Sequence, residues 1–175
     1  LDITPDTYRR MRPGEWVAPG KYVRLLRGGE CLMSDTAMEK ETNSAFVHIA
    51  HGNVLIAGLG IGMSLIPVVL KPEVTSVTVV EISDEVRALV EPYIRHALGR
   101  RAEILTVVPG DIGAYVPPRG TKYDTIWFDI WGNISTDAVE EMDALAAKFR
   151  SRPVKGGWMR SWKQAEMKYR KRQGR

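Results

Sequence analysis

Three glycines alternate with apolar residues at Gly58, Gly60 and Gly62, directly after the aliphatic run 54–57. Glycine allows backbone angles that are closed to other residues, and without a Cβ it lets a ligand lie against the main chain. A helix that follows such a turn points free N–H groups and its positive dipole end at that ligand. The pattern therefore predicts a small-molecule binding turn between a buried parallel strand and a helix.

Acidic residues end three other apolar runs, at Glu81, Asp111 and Asp129. Ligands of open parallel sheets bind beyond the carboxyl ends of the strands, so we expect these carboxylates to surround one crevice. Glu81 lies 19 positions after Gly62, the distance at which an acid reaches a ribose diol. Asp111 is placed to accept from an adenine amino group, and the backbone N–H of Ile112 to meet a ring nitrogen. For each acid the alternative is that it only caps the helix that follows its strand.

Asp129 is the candidate catalytic residue, because a carboxylate there would accept a proton or hydrogen bond from an attacking nitrogen or oxygen. Trp127 and Trp131 alternate with it, so all three side chains point to one side if the strand stays extended. Aromatic walls around a carboxylate suit a flat or cationic acceptor, whereas the alternative is that both indoles pack on the sheet. The opposite face of this strand is then expected to be buried through Ile126, Phe128 and Ile130.

Other site classes do not fit the sequence. The dinucleotide fingerprint needs a third glycine where this chain has Met63, and no Gly-Lys-Ser/Thr follows as in a phosphate-binding P-loop. The single Cys31 excludes an internal disulfide and favours a reducing, cytoplasmic setting. The three histidines lack metal-ligand spacing, so we expect no metal site. The apolar run 54–70 is shorter than the roughly 20 residues of a membrane span and is interrupted by glycines and Pro67.

Charge and composition divide the 175-residue chain into three segments. We expect an N-terminal hairpin and helical lead-in over 1–52, a core over 53–160 and a basic tail over 161–175. Residues 151–175 contain nine Lys or Arg and one acid, whereas residues 1–150 carry a net charge of −4. The tail is either solvated or an electrostatic footprint for nucleic acid, with Trp162 and Tyr169 available for stacking. The sequence begins at Leu1 without methionine, which leaves its N-terminal completeness open, and no signal peptide is visible.

Strands and helices are predicted to alternate, as in a parallel sheet with right-handed crossovers. Thr4 and Pro5 begin a helix to Met11, and Gly28-Gly29 forms the turn of a hairpin between 22–26 and 31–33. Ser34-Asp35 caps a helix to about Ala50. The remaining strands are expected at 16–17, 54–57, 76–81, 104–108, 123–130 and 156–159. The apolar stripe of the helix over 36–50 is expected to consist of Met38, Ala45, Phe46 and Ile49.

The runs 54–62, 77–81, 110–111 and 123–129 together resemble the cofactor-binding core of class I S-adenosylmethionine (SAM)-dependent methyltransferases. The similarity covers about residues 20–160, and the hairpin before the core resembles the spermidine synthase-like branch. It implies a Rossmann-like, doubly wound α/β sheet of order 3-2-1-4-5 with SAM as cofactor. By this resemblance Gly58, Gly60 and Gly62 line the methionine part of SAM. The adenosine part is bound by Glu81 at the ribose, Ile82 against adenine, and Asp111 at the adenine edge.

Two positions depart from the polyamine-forming enzymes, which carry aspartates where this chain has Ile61 and Gly132. The final antiparallel strand pair usual in methyltransferases is also missing from this sequence, so the sheet is five-stranded or completed by a partner. We therefore expect a methyltransferase with a small-molecule acceptor. Three alternatives stay open: an aminopropyltransferase, a nucleic-acid methyltransferase that uses the basic tail, and a non-catalytic SAM-binding or assembly protein. The sequence also leaves open a homo-oligomer.

Overall fold

The computed structural model describes residues 2–10, 17–132 and 135–174. Strand β1 (Asp2–Ile3) pairs with β2 (Gly20–Lys21), and helix α1 (Pro5–Arg10) lies between them in the chain. The Thr4 hydroxyl accepts a hydrogen bond from the Thr7 amide at 3.1 Å, which confirms the predicted N-terminal cap. The predicted helix end at Met11 and strand residue Trp16 lie outside the described residues, and Val17 belongs to no strand.

A hairpin and a helix precede the central sheet. Strands β3 (Arg24–Arg27) and β4 (Glu30–Ser34) pair antiparallel across Gly28-Gly29, as the sequence predicts. Helix α2 (Ala37–Ile49) follows, and of its predicted apolar stripe only Phe46 is buried. Met38 and Ile49 are exposed, and the face that packs inward carries Phe46 and the polar Asn43. The polar residue is tolerated there because its side-chain amide oxygen accepts a hydrogen bond from the Trp127 indole at 3.2 Å.

The central sheet has five parallel strands within the described part of the chain. Its strands and helices, in chain order, are β5 (Gly52–Ala57), α3 (Leu65–Leu70), β6 (Val74–Glu81), α4 (Asp84–Leu98), β7 (Leu105–Pro109), β8 (Tyr123–Phe128), α5 (Ala138–Phe149), β9 (Pro153–Ser161) and α6 (Gln164–Arg172). The spatial order β7-β6-β5-β8-β9 is the predicted 3-2-1-4-5 arrangement, so the Rossmann-like α/β fold is confirmed.

Both faces of the sheet are buried, which explains the continuous aliphatic composition of its strands. One face packs against α2, α3 and α4 through residues such as Phe46, Val68 and Ile94. The other packs against α5 through Leu145 and Phe149. Helices therefore cover both faces, and the sheet is doubly wound as predicted. Side chains alternate between these faces along each strand.

Two elements at the C-terminal side differ from the sequence predictions. β8 ends at Phe128 rather than residue 130, and Ile130 is 38% exposed rather than buried. The basic segment over 164–172 forms helix α6, whose Met167 is fully buried against Val139 and Met142 of the preceding helix. Two of its lysines form ion pairs with α5, so this segment is docked on the domain rather than freely solvated.

None of the helices in the described residues is long and apolar enough to cross a membrane. Within the same residues there is no group of three His, Cys, Asp or Glu side chains that could hold a metal ion.

Candidate functional site

A cavity of about 430 Å³ lies at the carboxyl ends of β5, β6, β7 and β8. This volume falls within the usual range of small-molecule sites. The predicted residues Gly58, Glu81, Asp111 and Asp129 all line it, so the structure brings together the glycine turn and the three acids. The β3–β4 hairpin forms the opposite wall.

Each glycine of the turn approaches a different neighbour. A Cβ on Gly58 would overlap the carbonyl oxygen of Asp129, and its φ of 94° is in the left-handed region that favours glycine. A Cβ on Gly60 would lie 2.6 Å from the Met33 sulfur, and one on Gly62 would lie 2.6 Å from Ile94 Cδ1. Gly58 and Gly60 line the cavity, but Gly62 does not. Gly62 instead allows the turn to pack on α4.

Glu81 connects the first two strand ends. Its Oε2 accepts a hydrogen bond from the Leu59 amide at 2.7 Å, and its Oε1 accepts one from the Ser83 amide at 2.8 Å. The residue is only 7% exposed, so these two bonds compensate much of the cost of burying the carboxylate. Glu81 therefore shapes the glycine turn as well as lining the cavity.

The loop ends of β6 and β7 supply the next part of the wall. Ile82 is 69% exposed and lines the cavity with an uncovered apolar surface. Asp111 is exposed, and its Oδ1 accepts a hydrogen bond from the Gly113 amide at 2.7 Å. Ile112 lines the same region but is buried, with its side chain in the core beneath the cavity. The three residues thus combine an apolar surface with an accessible carboxylate.

Asp129 follows β8 directly, and its amide donates to the Ala57 carbonyl at 3.0 Å, which ties it to the strand before the glycine turn. The pKa of Asp129 is raised to about 7, chiefly by burial and also by the negative charge of Glu39, while the nearby Trp127 indole acts in the opposite direction. Glu39 is kept in place by Ser34, whose amide and hydroxyl donate to its carboxylate at 2.9 and 2.8 Å. A carboxyl group with this pKa exchanges a proton near neutral pH.

The structure does not bring Trp127 to the cavity, contrary to the sequence prediction. Its ring packs against Phe46 at 5.1 Å and Trp158 at 5.6 Å, measured between ring centroids, in a cluster of three rings, and it is 5% exposed. The side chain lies on the sheet face that α2 covers, so it packs rather than forms an acceptor wall. For Trp127, the alternative interpretation, in which the indole packs on the sheet, is therefore the one that the structure shows.

Trp131 does line the cavity, because the chain leaves the strand after Phe128. Its Nε1–H donates to Glu141 Oε2 at 2.8 Å, and Glu141 lines the same end of the cavity. Glu141 lies in the first turn of α5. Sequence reasoning missed it, since an acid in a first helical turn is equally expected as a partner of the helix dipole.

The hairpin residues Leu25, Arg27, Leu32 and Met33 were also missed as site residues. The Met33 sulfur accepts a hydrogen bond from the Ile61 amide at 3.5 Å, so the hairpin touches the glycine turn directly. The sequence predicts the hairpin itself, but no local pattern specifies which way it folds over the sheet. Glu39 was missed for the same reason.

The Rossmann-like fold is shared with solved structures of methyltransferases, one of them complexed with SAM. The glycopeptide N-methyltransferase MtfA matches with a TM-score of 0.51 and 21% identity, over 70% of this chain and 51% of that one. The same enzyme complexed with SAM matches with a TM-score of 0.50 and 22% identity, over 68% and 48% of the two chains. The precorrin 8w decarboxylase of Methanobacterium thermoautotrophicum matches with a TM-score of 0.50 and 12% identity, over 71% and 61%.

The chain therefore spans about half the length of the methyltransferase structures it matches. No family model matches the sequence, and no curated protein matches it. The similarity is one of fold, and the predicted resemblance to the spermidine synthase-like branch stays a prediction.

Proposed function

We propose that this protein binds SAM in the cavity and transfers its methyl group to an acceptor that is still unknown. The observation that carries the proposal is the meeting of the glycine turn with Glu81 and Asp111 in one cavity at the strand ends. Such a crevice is where ligands bind in open α/β sheets. The methyltransferase fold of the chain supports the same class of ligand.

The residues present fit the chemistry of SAM. Gly58 and Gly60 line the cavity where the methionine part would lie, and Glu81 is the candidate partner of the ribose hydroxyls. Its two oxygens each accept one backbone hydrogen bond, which leaves further lone pairs for hydroxyl donors. Ile82 offers an exposed apolar surface for adenine, and Asp111 an accessible acceptor for its amino group. When bound, SAM supplies an electrophilic methyl group.

Asp129 is the candidate catalytic residue of this reaction. Its raised pKa suits a group that takes a proton from an acceptor nitrogen or oxygen at neutral pH. The backbone bond to Ala57 keeps it beside the glycine turn. Its role is to hold and move a proton, while the cavity walls orient the acceptor.

Methyl transfer is favoured over aminopropyl transfer by the residues at two positions. By the resemblance to the spermidine synthase-like branch, polyamine-forming enzymes carry aspartates at the positions where this chain has Ile61 and Gly132. Gly132 lines the cavity, so a carboxylate is absent from that part of the described wall.

Calorimetry of the full chain with SAM, decarboxylated SAM and NAD tests the cofactor assignment. We expect SAM to bind, decarboxylated SAM to bind more weakly, and NAD not to compete. Replacement of Glu81 by alanine is expected to weaken SAM binding about 10- to 100-fold, the effect of losing two charge-assisted bonds.

Because Glu81 also holds two backbone amides, Asp111→Ala serves as the companion variant. Asp111 is exposed, so this change leaves the fold intact and is expected to weaken SAM binding less, about three- to tenfold. The assignment is wrong if SAM does not bind the native chain, or if NAD binds more tightly than SAM.

A further inference from the structure

One end of the cavity is not needed by any group assigned above to the cofactor. It is formed by Trp131 and Glu141, which lie next to Asp129 along the cavity wall. The Trp131 indole is half-buried, and its ring is backed by the apolar side of α5. The hydrogen bond to Glu141 at 2.8 Å fixes the ring's orientation.

The cavity as a whole is lined by more acids than bases. Four acids line the cavity in the described part of the chain, namely Glu81, Asp111, Asp129 and Glu141, and one cation, Arg27. Arg27 also lines the neighbouring groove with Glu85 and Leu89, so it belongs to the α4 side of the cavity. Glu141 therefore faces Trp131 and the cavity without a basic partner among the described residues.

The two oxygens of Glu141 differ in their environment. Oε2 accepts the indole hydrogen bond, whereas Oε1 accepts none from the residues that the structure describes. An accessible carboxylate oxygen beside an aromatic face is the combination that binds organic ammonium ions, through an ion pair and a cation–π contact. A neutral alcohol gains neither of these terms.

We propose that Trp131 and Glu141 form a subsite for an organic ammonium group, so that the acceptor is an amine. The role of the amine as methyl acceptor rests on the proposed function, whereas the binding of an ammonium ion to Trp131 and Glu141 does not. The Trp131 ring lies against the cation, Glu141 pairs with its charge, and Asp129, which lines the same cavity, is the candidate acceptor of a proton from the same nitrogen.

Binding is tested on the ¹⁵N-labelled full chain by titration with n-butylammonium chloride, with n-butanol as the neutral probe, at constant ionic strength. The Trp131 indole N–H resonance, assigned by its loss in Trp131→Phe, is the local reporter. We expect the cation to shift this resonance at millimolar concentration and n-butanol to bind at least threefold more weakly.

Glu141→Gln keeps an oxygen that accepts the indole hydrogen bond but removes the charge. It is expected to weaken butylammonium binding about three- to tenfold and to leave butanol binding unchanged. Glu140→Gln is the matched control, because it removes the same charge one residue away, where the side chain pairs with Lys171 and does not line the cavity. This control is expected to change butylammonium binding less than twofold.

Equal effects of the two variants, or no shift of the Trp131 resonance by the cation, would overturn the subsite. The calorimetry with SAM is read separately. A chain that binds butylammonium through Glu141 but does not bind SAM retains the subsite and loses the proposed function. A chain that binds SAM without any Glu141-dependent amine binding retains the proposed function and loses the subsite.

Discussion

The two halves of the cavity are built differently. In the half formed by the ends of β5, β6 and β7, the buried carboxylate of Glu81 is bonded to two backbone amides, so its charge is compensated before any ligand arrives. In the half formed by the end of β8, α5 and the hairpin, Asp129 lies near a second carboxylate, Glu39, and burial raises its pKa to about 7. The carboxylate of the first half is therefore hydrogen-bonded to the main chain, whereas that of the second half is buried near another acid.

This difference separates binding from reactivity. A site whose polar groups are already bonded to the main chain is preorganised for a ligand. A carboxyl group that is desolvated and near another acid has a pKa close to the working pH, as general bases need. We therefore expect substitutions in the two halves to change different measurements, and the following experiments test that separation.

The largest effect is expected at Asp129. Asp129→Asn should retain the fold and most SAM affinity but lower turnover of an identified acceptor about 10²- to 10⁴-fold, because the amide cannot take up a proton. The native turnover should rise with pH through a midpoint near 7 and then level off, since the carboxyl group acts as a base only in its deprotonated form.

Glu39→Gln sharpens this prediction. It preserves an acceptor for Ser34 but removes the charge that raises the pKa of Asp129, so the midpoint of the pH profile should move to lower pH. Unchanged turnover in Asp129→Asn would show that this half of the cavity does not carry the chemistry.

The second experiment compares the two tryptophans that the sequence places together. Trp127→Ala should lower the free energy of unfolding by about 3–5 kcal/mol, because it removes one ring of the buried cluster with Phe46 and Trp158. Trp131→Ala removes a half-buried ring at the cavity and should cost about 1 kcal/mol. Urea denaturation of both variants measures the difference, and equal losses would mean that Trp131 is as much a core residue as Trp127.

The third experiment tests the contact that joins the halves. Gly58→Ala should destabilise the protein by about 2–4 kcal/mol, because the left-handed backbone is strained and the new Cβ meets the Asp129 carbonyl. Gly28→Ala is the control at φ 57° with no atom within 4 Å, and should cost about 1–2 kcal/mol from backbone strain alone. If both variants lose the same stability, the approach of the turn to β8 is looser than the structure indicates.

The residues that the sequence predicts at one crevice, and that the structure brings to one cavity, follow from local patterns. Glycines after an aliphatic run and acids at the ends of β-branched runs are consequences of strand–turn–helix geometry, and the parallel sheet brings such ends to one edge. Gly58, Glu81 and Asp111 were found in this way. The end of β8 was not predicted correctly, because an alternating pattern cannot show that the strand ends at Phe128.

The sequence by itself determined the order of strands and helices and the edge at which a ligand can bind, because hydrophobic periodicity and glycine turns are local properties of the chain. The strand order of the sheet was predicted from the resemblance to class I methyltransferases rather than from these patterns. Only the tertiary structure decided what surrounds that edge. Asn43 faces inward because it meets the Trp127 indole, Met33 covers the glycine turn because the hairpin folds back, and Glu141 reaches Trp131 because α5 packs beside β8. These contacts join residues far apart in the chain, and their geometry follows from packing rather than from any spacing along it.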